Sequence, residues 1–449
     1  MKKKISALIN NKIKKFNKTI KIPSDKSCSL RALILASQCI GISKIKNLLE
    51  SEDVFNCIKA LRALGVKIIK IKQIYKVHGN GLSSFRVKKN NKIYVGNSAT
   101  TARLLTGLLA THPGKFYLYG DRSMNRRDMS RIFDPLSKIG AHFYPKSKNT
   151  LPIKIFGTDM PLAQSHIENM GSAQVKSSLL LAFLATPGIS TIEEKKISRN
   201  HSEILLKKIS ADIKIKKLKK GNLIALKGQK NLYAFDYTVS SDPSSAAFIV
   251  ALALLTPGAK VTIHNCLCNK NRMGFYKVLK EKAGANIKIK NLRKSLNSGE
   301  MIGTIVAKNG SLKPVNCPKE LIPSLVDELP IFFVIAALTK GVSKFKSIGD
   351  LKNKESDRIL ESKKLLSQAG IKYKSTKDSI IIYGNSNIEA NKRSILIKTE
   401  EDHRICMSSL IFSLITGIRT KIKNFETVNT SFPGFIKLIN QLGGKVEIK

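Results

Sequence analysis

Apolar residues in this chain come in two rhythms. Six stretches are apolar almost without a break and close on a glycine: LILASQCIG at Gly41, LLATHPG at Gly114, LAFLATPG at Gly188, VALALLTPG at Gly258, FFVIAALTKG at Gly341 and LIFSLITG at Gly417. A helix that is apolar on every side has to be buried on every side, so each stretch predicts a core helix. The stop glycines recur at intervals of 73, 74, 70, 83 and 76 residues, a repeat that fills the chain. After each stop comes a β-favouring stretch, such as KFYLYG, KVTIHN, SKFKSI and TKIKNF. A second, amphipathic helix then closes on a related signal: LRALGV (Gly65), LSKIGA (Gly140), LKEKAGA (Gly284), LLSQAGI (Gly370) and INQLGG (Gly443). The third copy reads LKKISA, with Ser210 where the others place the glycine that ends a helix. The predicted unit is therefore one buried helix, one amphipathic helix and several short strands, repeated six times. Two domains of three units are the simplest division, with helices inside and sheets outside, and the polar turn DYTVSSDPSSAAF (236–248) falls at the midpoint.

The six buried helices start alike. Their N-terminal stretches read PSDKSCSLR (23–31), GNSATTAR (96–103), MGSAQVKSS (170–178), SSDPSSAAF (240–248), IPSLVDELP (322–330) and EEDHRICM (400–407). Each supplies Ser, Thr, Asp or Asn near the cap, where a side-chain oxygen meets an unpaired backbone N–H. Several also carry Lys or Arg in the first two turns, against the helix macrodipole. Part of this is only capping; six starts of one type, several with a cation added, shift the balance toward an anion held there. A second set of charged stretches follows the strands: GDRSMNRRDMSR (120–131), SRNHSE (198–203), NKNRMGF (269–275) and LKNKESDR (351–358). Arginines in such places suit bidentate recognition of phosphate or carboxylate. Asp327 and Glu355 are the carboxylates most embedded among these cations, which makes them candidates for proton transfer as well as for plain ion pairing.

Composition narrows the class. With 449 residues, 42% of them hydrophobic, the chain is long enough for large cores, and no apolar run reaches transmembrane length. The basic start holds only a five-residue apolar patch, which predicts no secretory signal and a cytoplasmic protein. Seven cysteines form no CxxC pair and read as reduced structural thiols, with no metal expected. The net charge of +48 by itself would suggest nucleic acid. The lysines, however, run from residue 2 to residue 449, aromatic residues are 6% and Trp is absent, so solvated surface is the simpler reading, and small polyanionic substrates fit the same charge.

Ten stretches in order, PSDKSCSLRALILAS, GNSATTARLL, GDRSMNRRDMSRIFDPLSKIGA, SAQVKSSLLLA, SRNHSEILL, DPSSAAF, LVDELPIFFVIAA, LKNKESDRI, EDHRICM and TSFPGF, resemble the 5-enolpyruvylshikimate-3-phosphate (EPSP) synthase family over residues 21 to 436. The resemblance implies an α/β fold: a two-domain inside-out α/β barrel of six βαβαββ repeats, three per domain, with the active site in the cleft between them. It places residues 1–22 plus 240–449 in one domain and 23–239 in the other. The implied reaction transfers the enolpyruvyl group of phosphoenolpyruvate to the 5-hydroxyl of shikimate 3-phosphate and releases phosphate, with no cofactor or metal. By position, Lys26, Ser27, Arg31, Ser172, Ala173 through its backbone, Gln174, Ser198, Asp327 and Lys354 would meet shikimate 3-phosphate. Lys26, Ala99, Arg127, Gln174, Arg358 and Arg404 would meet phosphoenolpyruvate. Asp327 would handle the hydroxyl proton and Glu355 the methylene proton, and Lys26 could share either role. The resemblance further implies a monomer acting on small molecules, without nucleic acid or membrane.

This chain departs from the family pattern at Cys28, where an aliphatic residue is common, at Leu30, where His is usual, and at Asp128, where Pro is usual. The Asp128 side chain is expected to face away from Arg127. Ala99 occupies a position that is Gly in many relatives and Ala in a second group. The nearest rival function is enolpyruvyl transfer to UDP-N-acetylglucosamine, whose enzymes usually carry a reactive Cys in a mobile loop; GDRSMNRRD has none. The other rival is a nucleic-acid-binding protein on the same scaffold, supported only by the charge.

Overall fold

Apolar runs leave the six core helices almost no face to give to water. In the helix Pro243–Leu255 every residue but the last is buried, Leu329–Ala337 is buried throughout, and His403–Thr416 exposes only its final residue. The computed structural model describes residues 4–86, 91–388, 394–399 and 401–449. Glu400, which opens the sixth helix-start stretch, and the first three residues of the expected N-terminal domain segment lie outside the described residues. No helix among the described residues is long and apolar enough to cross a membrane.

The fold is an inside-out α/β barrel of βαβαββ repeats. Among the described residues the strands form six sheets, five of four strands and one of three. The second repeat shows the plan. Asn91–Tyr94 runs parallel to Gly114–Tyr119, which pairs antiparallel with Ile153–Gly157, and that strand pairs antiparallel with His142–Tyr144. In the three-stranded sheet the place of the first strand is marked by a single parallel bridge between Asn316 and Lys344. The helices pack close beneath these sheets because a strand glycine lets them. A Cβ built on Gly157 would stand 1.9 Å from the His112 carbonyl oxygen, and one on Gly384 2.0 Å from that of Thr339. Both carbonyls follow the C-terminal end of a buried helix, so any side chain there would push helix and sheet apart.

The chain divides into two compact units. One contains the described residues up to Pro23, Ser241–Arg293 and the described residues from Met301 onward; the other contains Ser24–Ser240 with the short segment Lys294–Glu300. Each unit holds three of the buried helices. In the first, the N-terminal segment completes two sheets: Ser6–Ile9 pairs antiparallel with Arg419–Lys423, and Asn17–Ile20 runs parallel to Lys260–Leu267. In the second, Asp236–Thr238 supplies the first strand of the first repeat, parallel to Ile40–Lys46. The sequence reading kept 294–300 with its neighbours in 240–449. The structure packs it with the second unit, where Glu300 meets His201 and the Leu296 carbonyl accepts from Lys208.

Local signals decide most helix ends. Asp25, Ser98, Ser172, Asp242 and Asp402 cap five of the six buried helices, each side chain accepting from a backbone N–H of the first turn. The fifth is entered differently: the helical turn Ile322–Leu325 and the 3-10 turn Val326–Glu328 lead into it, and Glu328 makes no cap bond. Ser210 adopts a φ of 63° and so takes the left-handed conformation that glycine fills in the other copies. All seven cysteines are buried. Burial pushes the Cys57 and Cys406 thiols up to about 12, as befits inert core thiols.

Candidate active site

In the unit spanning Ser24–Ser240, the starts of three buried helices are tied together by side chains that the sequence analysis had singled out. Arg31, on the helix Lys26–Ala36, donates to the Ser27 hydroxyl, to Ser202 Oγ at 2.9 Å and to Ser177 Oγ at 3.1 Å. The last of these lies on the helix Ala173–Phe183. Burial pushes the Arg31 guanidinium below its ordinary value, against the pull of Cys28, Asp25 and Glu203. Gln174, in the first turn of Ala173–Phe183, donates to Thr100 Oγ1 at 2.9 Å and accepts from Arg103, so it joins a third helix start, that of Ala99–Ala110. Arg127 reaches Asn97 Oδ1 at 3.3 Å, just before the same helix. Lys26 is held by Asp53 at 2.8 Å.

Loop residues are fixed by buried carboxylates. Glu168 accepts from the backbone N–H groups of Met170, Gly171 and Ser172 at 3.1, 2.7 and 3.0 Å, which sets the turn that presents Ser172 as a cap. Ser198 donates its N–H at 2.8 Å and its hydroxyl at 2.5 Å to a single oxygen of Glu194. Asp128 turns its carboxylate to the Ser130 N–H and hydroxyl at 3.1 and 2.8 Å, and its backbone carbonyl accepts from Arg103. Its side chain thus serves the start of the next helix, Ser130–Ser137.

In the other unit the centre is Arg358, 1% exposed, the first residue of the helix Arg358–Gln368. Its Nε donates to Asp402 Oδ2 at 2.8 Å, its terminal nitrogens reach Asp402 Oδ1 at 3.4 Å and Asp327 Oδ1 at 3.5 Å, and one of them donates to Glu355. Burial alone would lower the guanidinium's pKa; Asp402, Glu355 and Asp327 outweigh that and hold it above its ordinary value. Arg404 donates to the Asp327 backbone carbonyl at 2.9 Å and lies 3.9 Å from a Glu328 carboxylate oxygen. Lys354 turns to Asp350 at 3.0 Å instead of joining this group. The two candidate proton-transfer carboxylates, Asp327 and Glu355, are thus held by one guanidinium, both partly open to solvent.

Asp53, Glu194, Lys176 and Asp402 matter to this arrangement and were missed as site residues. Asp402 left a trace as the cap before His403 and Arg404; Asp53 acts on Lys26 across 27 residues, and Glu194, only four residues before Ser198, is also paired with Lys176 18 residues away. The cations at helix starts, expected to need an external anion, are in part balanced within the chain: Lys26 by Asp53, Arg358 by three carboxylates. Among the described residues one group could offer metal ligands, Cys28, His201 and Glu300, with donor atoms within 4.8 Å of one another and all three buried. His201 Nδ1 and Glu300 Oε1 are already hydrogen-bonded at 2.7 Å, and three donors fall one short of a closed tetrahedral zinc site.

A family model described as EPSP synthase (3-phosphoshikimate 1-carboxyvinyltransferase) matches residues 10–439. The 3-phosphoshikimate 1-carboxyvinyltransferase of Acidiphilium cryptum is 37% identical over 430 residues, 96% of this chain and 95% of that protein. The enzyme of the same name from Bartonella henselae is 37% identical over 428 residues, 95% of this chain and 96% of that protein. Among solved structures, EPSP synthase from Acinetobacter baumannii superposes with a TM-score of 0.85 at 33% identity, covering 99% of this chain and all of that one. The enolpyruvyl transferase NikO from Streptomyces tendae shares the fold, with a TM-score of 0.75 at 13% identity, covering 99% of each chain.

Proposed function

Since the chain belongs to the EPSP synthase (3-phosphoshikimate 1-carboxyvinyltransferase) family, we propose that it transfers the enolpyruvyl group of phosphoenolpyruvate to the 5-hydroxyl of shikimate 3-phosphate and releases phosphate. The observation that carries the reading is the Arg358 group, which places two carboxylates on one buried cation. Asp327 accepts the proton of the attacking hydroxyl. Glu355, in its acid form, delivers a proton to the methylene carbon, so the donor's central carbon becomes electrophilic as the oxygen attacks. The tetrahedral intermediate then collapses with loss of phosphate, and the methylene is regenerated as the methyl group formed on protonation gives one of its three hydrogens back as a proton. Arg358, Arg404 and Arg127 hold the phosphoenolpyruvate anion, their planar forks suited to carboxylate and phosphate. Lys26, Ser27, Arg31, Ser172, Ala173, Gln174 and Ser198 hold shikimate 3-phosphate, Lys26 and Gln174 also approach the donor, and Lys354 adds a cation near both. Such an enzyme serves aromatic amino acid biosynthesis, and we place it in the cytoplasm as a monomer.

Phosphate release from phosphoenolpyruvate, measured with shikimate 3-phosphate or UDP-N-acetylglucosamine as acceptor, tests this. Release with shikimate 3-phosphate alone is expected. Release with only the other acceptor reassigns the site, and salt-sensitive nucleic-acid binding without release removes the reading.

Ala99, buried at the first position of its helix, narrows the donor site by one methyl group. The inhibitor glyphosate, longer than phosphoenolpyruvate, is expected to bind this protein weakly. Ala99→Gly should tighten inhibition by about ten- to two-hundredfold, the worth of a methyl-sized obstruction. Equal inhibition constants for the two forms would dismiss this role of the methyl group.

A further inference from the structure

Ser198 is held in an unusual way for a residue that is to meet a phosphate. A serine hydroxyl has one hydrogen to donate, and here it goes to Glu194, as does the backbone N–H of the same residue. Glu194 is 1% exposed and is met from other directions by Lys176 Nζ at 2.7 Å and by Asn222 Nδ2 at 3.3 Å. Lys176 is itself fully buried between Glu194 and Glu203, 2.7 Å from each. The two carboxylates outweigh the effect of burial and keep the ammonium's pKa above its ordinary value, so the lysine is charged at every pH at which the protein works.

We propose that Lys176, Glu194 and Asn222 form a positioning network that parks the Ser198 hydroxyl in the free protein and releases it to the phosphate group of the acceptor substrate; this rests on the function proposed above. An anionic phosphate needs a donor, and Ser198 can become one only by turning its hydroxyl away from Glu194. After that turn Glu194 still accepts from Lys176, from the Ser198 N–H and from Asn222, so no buried carboxylate is stranded and the exchange is inexpensive. Lys176 thus acts through Ser198 without touching the ligand. Without Lys176, the hydroxyl becomes one of few remaining donors to a buried carboxylate, and the ligand must compete for it.

The test is calorimetric titration of shikimate 3-phosphate into the wild type, Lys176→Met, Ser198→Ala and the double variant, with the KM for phosphoenolpyruvate measured alongside. Lys176→Met is expected to weaken shikimate 3-phosphate binding by about tenfold, the worth of one charge-assisted hydrogen bond, and to leave the KM for phosphoenolpyruvate within about twofold. In the Ser198→Ala background the lysine substitution should add almost nothing, since the route through the hydroxyl is gone. A general structural role predicts instead that the two effects add, or that both substrates suffer alike, and either result overturns the proposal. Should Lys176→Met fail to fold, Asn222→Ala removes a weaker donor to the same carboxylate and should act in the same direction to a smaller extent. A wild type that does not bind shikimate 3-phosphate refutes the functional reading and this proposal with it, an outcome distinct from additive effects in a protein that does bind.

Discussion

Arg358→Met is expected to lower kcat/KM by about a thousandfold or more and to weaken folding in the same protein. The catalytic loss follows from removing a preorganised cation at the reacting centre, where each such donor accounts for about a hundred- to a thousandfold. The stability loss has a separate origin. Asp402 is fully buried and bonded through both oxygens to this guanidinium, so the substitution leaves a buried carboxylate without its counter-charge, at a cost of about 3–5 kcal/mol. Arg358→Lys distinguishes charge from shape. One ammonium cannot reproduce contacts made from three guanidinium nitrogens, so most of the stability should return while kcat/KM stays about a hundredfold down. Urea denaturation and steady-state kinetics on the same preparations measure both, and wild-type kinetics for the lysine variant would show that fork geometry is irrelevant. Alkaline pH does not mimic the substitution. The folded pKa is raised, so the stabilisation is complete at every pH below the ordinary arginine value and is lost only as pH rises through the still higher folded value.

Asp327→Asn and Glu355→Gln are expected to behave differently. Each should lower kcat by about a hundred- to ten-thousandfold, the usual contribution of a positioned acid or base, with a KM close to that of the wild type. Both side chains are partly exposed and Asp402 still neutralises Arg358, so neither change strands a buried charge. The two can also be told apart. In deuterated water the wild type should exchange label into the methylene of phosphoenolpyruvate during turnover, and Glu355→Gln should lose that exchange. A glutamine variant that still exchanges label at the wild-type rate would assign the methylene proton to another group, with Lys26 the first to examine.

Much of the site was legible because its parts are local. The capping residues Asp25, Ser98, Ser172, Asp242 and Asp402 act within three residues of themselves and stand in the sequence beside the groups they serve. Asp327 and Glu355 stood out because each is a carboxylate in a basic neighbourhood. That they share one arginine was not legible, since Asp327 is 31 residues and Asp402 44 residues from Arg358. Asp53 and Glu194 look in the sequence like ordinary acidic residues near a helix and a strand, yet they hold Lys26 and Ser198. The fifth helix start was misjudged for a related reason: its approach is already helical, so the Ser and Asp before it are not caps.

The sequence by itself determined the number of repeats, the six helices that must be buried and, for five of them, the capped start, because hydrophobic period and capping are properties of neighbours along the chain. Only the tertiary structure decided which strands complete which sheets, and it sent Ser6–Ile9 to Arg419–Lys423 and Asn17–Ile20 to Lys260–Leu267. It also decided which charges neutralise which. Strand pairing and buried ion pairing are satisfied by whatever groups the folded chain brings together, and a periodic sequence offers many chemically equivalent partners; packing of the whole unit selects among them.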